Sequence, residues 1–207
     1  MLKIAVTKGR IEKEFCKILE KSGYNVEPII NKDRKLIIKT NDNLEYIFVK
    51  SSDIITYLDY GVVDVGIIGK DTLIESDKSK YKEVADLKIG KCKFCLASKP
   101  DYKNKTFNRK KIIATKYPTL TREFFNGKNE EVDIVKLNGS IEVAPIIQLT
   151  DAIVDLVETG TTLKSNGLEI IEEICDVSTR IITNEKAVEN KKDELNTFIK
   201  KLRIGEE

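Results

Sequence analysis

The chain has 207 residues, 41% of them apolar, which is an ordinary balance for a globular protein and leaves room for one large domain or two small lobes. Its 36 basic and 34 acidic residues leave a net charge of +2, which argues against nucleic-acid binding driven by bulk charge. It contains no histidine, which removes Ser-His-Asp and Cys-His catalysis, histidine metal sites and imidazole proton shuttling, and directs an enzymatic reading toward positioning and electrostatics.

No apolar run is long enough to cross a bilayer, and the opening Met-Leu-Lys-Ile-Ala-Val turns polar too early for a signal peptide, so the expected compartment is the cytoplasm. Among the cations only six are arginines (Arg10, Arg34, Arg109, Arg122, Arg180 and Arg203), and arginine is the better bidentate phosphate ligand. Cys92 and Cys95 have C-x-x-C spacing, but Cys16 and Cys175 are isolated and supply no second pair. Buried or half-buried free thiols are therefore favoured over a redox or metal site.

Along the chain, Leu2–Val6 reads as a buried strand. Ile11, Phe15, Ile18 and Leu19 recur at helical spacing, and Gly23 ends that helix. Strands over Leu36–Ile38 and Tyr46–Val49 flank a turn at 41–43. A helix over Asp53–Tyr60 is capped by Ser52 or Asp53 and closed by Gly61, and a strand follows over Val62–Ile68. Ile89–Ala97 is a further strand, and the lysine-rich segment 99–111 an exposed connection. Ile112–Thr115, a helix over Pro118–Phe125 and Val132–Lys136 then form a second α/β series. A turn at 138–140 and a short helix over Val143–Leu149, beginning near Pro145, precede the apolar Ala152-Ile153-Val154. Strands over Leu168–Ile174 and Ser178–Ile182 lead to one final helix over Asn184–Leu202, with Val188, Leu195, Phe198, Ile199 and Leu202 on one side. Two α/β series divided near residues 89–99 suggest two lobes with a cleft between them, a preferred place for ligands.

Asp155-Leu-Val-Glu-Thr-Gly-Thr-Thr-Leu163 is the most informative stretch. A glycine lets backbone approach a phosphate, hydroxyls add donors, and a following helix start supplies free N–H groups. Carboxylates beside it suit ribose hydroxyls or magnesium. The same residue types also make a plain loop with an N-cap. Thr7-Lys8-Gly9-Arg10 sits where a strand hands over to a helix and suits a phosphate or pyrophosphate, or is a surface loop with two solvated cations. Asp33-Arg34-Lys35 alone is a solvated turn; beside the Lys8 loop it could clamp a polyanion. The run from Gly61 to Asp71 fits neither a dinucleotide fingerprint, which needs glycine at position 64, nor a P-loop, which needs lysine directly after Gly66. Its glycines read as backbone geometry, with Asp71 a ligand candidate. Glu142, beside an apolar stretch, is either paired structurally or functional.

Taken in order, Lys8-Gly9-Arg10, Arg34-Lys-Leu36, Asp64–Asp71, Ile113–Pro118, Leu137–Pro145, Asp151–Leu168 and Ile174–Ser178 resemble the ATP phosphoribosyltransferase family, the first enzyme of histidine biosynthesis. The block from Asp151 to Leu168 is the most specific, and the clearest departure is Thr7, where many relatives have proline or serine. The resemblance implies a two-lobe α/β fold like type II periplasmic binding proteins, with the active site in the cleft. It places residues 1–90 plus 177–207 in one lobe and 91–176, with the phosphoribosyl-binding loop, in the other. It implies that N1 of ATP attacks the anomeric carbon of phosphoribosyl pyrophosphate, that pyrophosphate leaves, and that Mg2+ accompanies the substrates. Carried over by position, Glu158, Thr159, Gly160, Thr161 and Thr162 would hold the 5-phosphate, and Asp155 the ribose hydroxyls. Lys8 would bind substrate, Arg10, Arg34 and Lys35 would serve catalysis around the pyrophosphate and nucleotide phosphates, and Asp71 and Glu142 would line the cleft. The length resembles the short form of the family, which implies a homodimer within a hetero-oligomer and a regulatory subunit similar to histidyl-tRNA synthetase. The alternative is a non-catalytic two-lobe solute-binding protein.

Overall fold

The computed structural model describes residues 1–202, and of Lys78 only the backbone; Arg203 lies outside the described residues. Two compact units form, Met1–Gly90 together with the segment from Ser178 onward, and Lys91–Val177. The first unit begins with β1 (Leu2–Thr7), α1 (Arg10–Lys21), α2 (Glu27–Ile30), β2 (Ile37–Lys39), β3 (Leu44–Val49), α3 (Ser51–Asp59), β4 (Val65–Gly69), α4 (Lys70–Ile74) and β5 (Tyr81–Asp86). The second is built from β6 (Cys92–Ser98), β7 (Lys111–Thr115), α5 (Pro118–Asn126), β8 (Val132–Lys136), α6 (Val143–Ile146), β9 (Ala152–Val157), α7 (Thr161–Ser165) and β10 (Glu169–Val177). The chain then returns to the first with β11 (Thr179–Asn184), α8 (Glu185–Asn190) and α9 (Lys192–Lys201).

The first sheet runs β2-β3-β1-β4-β11-β5, with β1 parallel to β3 and β4. Alternation along β1 sends Leu2, Ile4 and Val6 into a core with Phe15 and Leu19 of α1 and Leu195 and Phe198 of α9. Ala5 points the other way, into a core with Ile54 and Leu58 of α3. Helices therefore cover both faces, which is why the central strands read as continuous apolar runs. Asp64 pins this arrangement: its Oδ2 accepts from the Lys3 N–H and from Lys191 Nζ, both at 2.7 Å. The second sheet runs β10-β6-β9-β7-β8, with β7 parallel to β8 and β9 and β6 antiparallel to β9 and β10. Ala97, Ala114, Ile153, Leu163 and Leu168 pack together in this unit. Among the described residues no helix is long and apolar enough to cross a membrane.

Several elements differ from the sequence expectation for identifiable reasons. The single C-terminal helix is two, because Lys191 leaves helical geometry (φ −135°) and reaches the Met1 carbonyl at 3.1 Å as well as Asp64. Strand β5 was not anticipated; Tyr81-Lys-Glu-Val-Ala-Asp86 is an edge strand without an apolar run. Helix α3 starts two residues earlier, at Ser51, with Lys50 as its N-cap and no side-chain cap, while Ser52 Oγ donates to Asp53 instead. Helix α6 begins at Val143, two residues before Pro145, and ends at Ile146. The connection 99–111 contains a 3-10 turn over Pro100–Asn104 that buries Tyr102.

Gly66 sits where α3 crosses β4. A Cβ there would lie 2.7 Å from Ile54 Cγ2 and 3.1 Å from both Ile182 Cγ1 and Leu58 Cδ1. Gly66→Ala is expected to cost about 1–3 kcal/mol by overpacking, read as a lower urea midpoint at unchanged slope. An unchanged midpoint would show that the α3–β4 contact yields more readily than its geometry indicates.

Candidate functional site

In the first unit, parallel pairing places the ends of β1, β3 and β4 at one sheet edge, the edge where such sheets take ligands. The Lys8 N–H donates to the Val49 carbonyl at 3.0 Å, so the Lys8-Gly9-Arg10 turn leaves from the middle of that edge. Gly9 has φ +93°, a conformation that glycine alone adopts without penalty. Glu12 braces the turn: Oε2 accepts from the Gly9 N–H at 3.3 Å and Oε1 pairs with Lys32 Nζ at 3.2 Å. Lys32 also stands 4.7 Å from the centre of the Phe48 ring. Glu12 therefore links the Lys8–Arg10 turn to the turn carrying Asp33, Arg34 and Lys35, which is held by the Lys35 N–H to Lys32 carbonyl bond at 2.9 Å. Lys8, Arg10, Arg34 and Lys35 are all exposed. Asp71, in the first turn of α4 just past the end of β4, folds its carboxylate back against Gly69.

In the second unit, β7, β8 and β9 likewise end at one edge. Thr115 Oγ1 at the end of β7 donates to the Val154 carbonyl at 2.8 Å and accepts from the Tyr117 N–H at 2.9 Å, tying β7 to β9. Beyond this edge lies a cavity of about 230 Å³ lined by Glu142 and by every residue from Asp155 to Leu163. Gly160 has φ +74°, which turns the chain sharply into α7. Thr159 and Thr161 hydroxyls stand 3.0 Å apart, and Thr159, Thr161 and Thr162 are exposed to the cavity side of the loop.

Asp155 is a strand residue rather than a loop residue, because Leu156 and Val157 continue the β9 pairing with β6. Burial pushes its carboxyl up to about 6, opposed by the Leu156 N–H that its Oδ1 accepts at 2.8 Å; the Glu142 charge pushes it further up and Lys116 pulls it down. In the β7–β9 register Thr115 stands opposite Val154, so Lys116 comes level with Asp155.

A family model described as HisG, ATP phosphoribosyltransferase, matches residues 50–204. The chain belongs to the ATP phosphoribosyltransferase family. It is similar to the ATP phosphoribosyltransferase of Lactococcus lactis subsp. cremoris, 47% identical over 98% of this chain and 97% of the relative. It is 50% identical to that of Clostridium kluyveri over 98% and 93%. Among solved structures it resembles the ATP phosphoribosyl transferase (HisG:HisZ) complex from Thermotoga maritima, at 33% identity and TM-score 0.81 over 98% of this chain and 97% of that one. A Candida albicans gene product with the generic periplasmic binding protein fold matches at TM-score 0.59 and 12% identity, over 98% and 69%, which supports the expected fold class.

For this member of the family, the expected residues fall into two groups. Lys8, Arg10, Arg34, Lys35 and Asp71 share the edge of the first sheet, and Glu142, Asp155 and Glu158–Thr162 share the cavity of the second unit. Sequence reasoning missed Glu12 and Lys32, which join the two cationic turns. A glutamate three residues after Gly9 was the available signal, since that spacing suits a helix start. Cys92 and Cys95 both lie in β6, where a spacing of three sends side chains to opposite faces, and all four cysteines are free thiols.

A carboxyl raised in the folded chain favours folding while protonated, and that contribution is lost as pH rises from about 4 through 6. Asp155→Asn is therefore expected to stabilise the unliganded protein at pH 8 by on the order of 3 kcal/mol, with no gain below pH 4. Thermal unfolding across that range checks this; a gain that does not vary with pH would show that the carboxylate is not strained.

Proposed function

We propose that this chain transfers the phosphoribosyl group of phosphoribosyl pyrophosphate to N1 of ATP, releasing pyrophosphate, the first step of histidine biosynthesis. The observation that carries the residue assignment is the cavity lined without interruption from Asp155 to Leu163, with Glu142 also on its wall. It combines a glycine turn, three threonine hydroxyls and three carboxylates (Glu142, Asp155 and Glu158), the donors and acceptors that a ribose 5-phosphate and its hydroxyls need. In this reading Glu158–Thr162 hold the 5-phosphate and Asp155 accepts from ribose hydroxyls, with Glu142 beside it.

The exposed cations Lys8, Arg10, Arg34 and Lys35 then meet the pyrophosphate and nucleotide phosphates, with Asp71 a further substrate contact. The transition state for displacement at the anomeric carbon has oxocarbenium character, and negative charge builds on the departing pyrophosphate. Cations carried on two turns that Glu12 ties together before substrate arrives stabilise charge that forms only during reaction, which is where catalysis is gained. No imidazole is required. Adenine N1 is a weak nucleophile, so orientation of the two substrates supplies much of the remainder.

Mg2+ fits this site as a companion of substrate phosphates. Glu142 and Asp155 offer hard carboxylate oxygens, and among the described residues no group of three or more His, Cys, Asp or Glu forms a protein cage. The ion would neutralise phosphate charge. The likeness to a HisG:HisZ complex supports work with a subunit of that type; in this reading the subunit is regulatory and similar to histidyl-tRNA synthetase, and this chain forms a homodimer within a cytoplasmic hetero-oligomer. The rival solute-binding reading rests on a fold likeness at 12% identity, which speaks to fold alone, whereas the matching family model is that of ATP phosphoribosyltransferase.

Purified protein supplied with ATP, phosphoribosyl pyrophosphate and magnesium should release pyrophosphate. Absence of turnover both with and without the regulatory partner would defeat the proposal. Arg34→Ala should slow the chemical step about a hundredfold or more, the scale of one lost transition-state contact; an unchanged kcat where chemistry limits the rate would remove that role. Thr161→Val should weaken phosphoribosyl pyrophosphate binding more than ATP binding, whereas equal losses would argue against a 5-phosphate cradle.

A further inference from the structure

We infer that Glu14 is a positioning residue for the transfer reaction, fixing the direction in which the Arg10 guanidinium meets the pyrophosphate; this rests on the role proposed for Arg10. Glu14 lies one helical turn after Arg10 on α1, and its Oε1 is 3.3 Å from Arg10 Nε. An exposed pair at this spacing ordinarily holds little, because two long side chains must be ordered for a weak attraction. Glu14 differs because its other oxygen is already anchored: Oε2 accepts from the Gly90 N–H at 2.7 Å. That backbone is itself held, by the Thr179 N–H to the Ile89 carbonyl and the Leu87 N–H to the Thr179 carbonyl, both at 2.9 Å.

Gly90 closes the first unit before the chain enters the second. A Cβ built on it would lie 2.9 Å from Thr179 Oγ1, 3.4 Å from Ile11 Cγ1 and 3.9 Å from Arg10 Nη2, so the guanidinium lies about one methyl group away from the backbone that anchors Glu14. The carboxylate and the Gly90 backbone together define a seat for Arg10. A guanidinium held at Nε keeps one orientation of its planar fork, which is what bidentate phosphate contact requires. With the carboxylate ordered in advance, pairing immobilises one side chain instead of two.

Glu14→Gln tests this in the full-length chain, since the amide oxygen still accepts from Gly90 while the charge facing Arg10 is gone. The variant should lose about tenfold in kcat, keep the KM for ATP within about twofold, and keep its urea midpoint. In a double-mutant cycle, adding Glu14→Gln to Arg10→Ala should change kcat less than about twofold, because the positioned group is already absent. A tenfold loss that persists in the Arg10→Ala background, or a wild-type kcat in Glu14→Gln, would overturn the positioning role alone. A wild-type kcat in Arg10→Ala would instead remove the role of Arg10, and that of Glu14 with it.

Discussion

Parallel strand pairing is the constraint on which the rest depends. When β1 pairs in parallel with β3 and β4, three chain ends leave the sheet at the same edge, and the following turns must gather there. The second unit repeats the arrangement with β7, β8 and β9. Each sheet thus produces a local collection of loops without any requirement on loop sequence beyond turn geometry. The chemistry is then written into those loops: cations in the first unit, hydroxyls and carboxylates in the second.

The two collections are stabilised in different ways. The cationic turns are organised by carboxylates on α1. Glu12 spans Gly9 and Lys32, and Glu14 spans Arg10 and Gly90. Two of the four groups that these glutamates grip are backbone N–H donors, so the side chains are anchored to fixed structure as well as to mobile cations. The Asp155–Leu163 segment takes its shape from the chain itself, through the positive φ of Gly160 and the bond from Thr115 to the Val154 carbonyl. Its first residue, Asp155, is the strained element. Asp155 stands on a strand flanked by β6 and β7, and its carboxyl is raised by burial. That strain is consistent with a group whose partner arrives with substrate.

Much of the fold was legible in the sequence where periodicity was unambiguous. Phe15 and Leu19 announced α1, and Ile113 and Ala114 marked a buried strand before the Pro118 helix start. What was not legible depended on tertiary contacts. Lys191 is an ordinary helix former until Asp64, far away in sequence, draws its ammonium group and divides the last helix. β5 is half-exposed at an edge, so it carries no alternation to detect. At the site, Lys8-Gly9-Arg10 and the Asp155–Leu163 stretch were visible because glycine, charge and strand end coincide. Glu12, Glu14 and Lys32 look in sequence like solvated surface charges, and only their partners distinguish them. Asp155 was placed one structural class away, in a loop, because the strand continues through two residues that the turn-like composition after them obscured.

The position of β11 between β4 and β5 has a consequence for synthesis. Among the described residues β5 pairs only with β11, yet β11 follows it in the chain by the whole of the second unit. As the chain emerges from the ribosome, the first ninety residues therefore present a sheet whose β4 edge is open and whose last strand has nothing to bond. The second unit, contiguous in sequence, has all its strands before β11 exists. The protein is thus ordered in time opposite to its order in sequence: the inserted unit can be complete first, and the unit that begins the chain is the last to close.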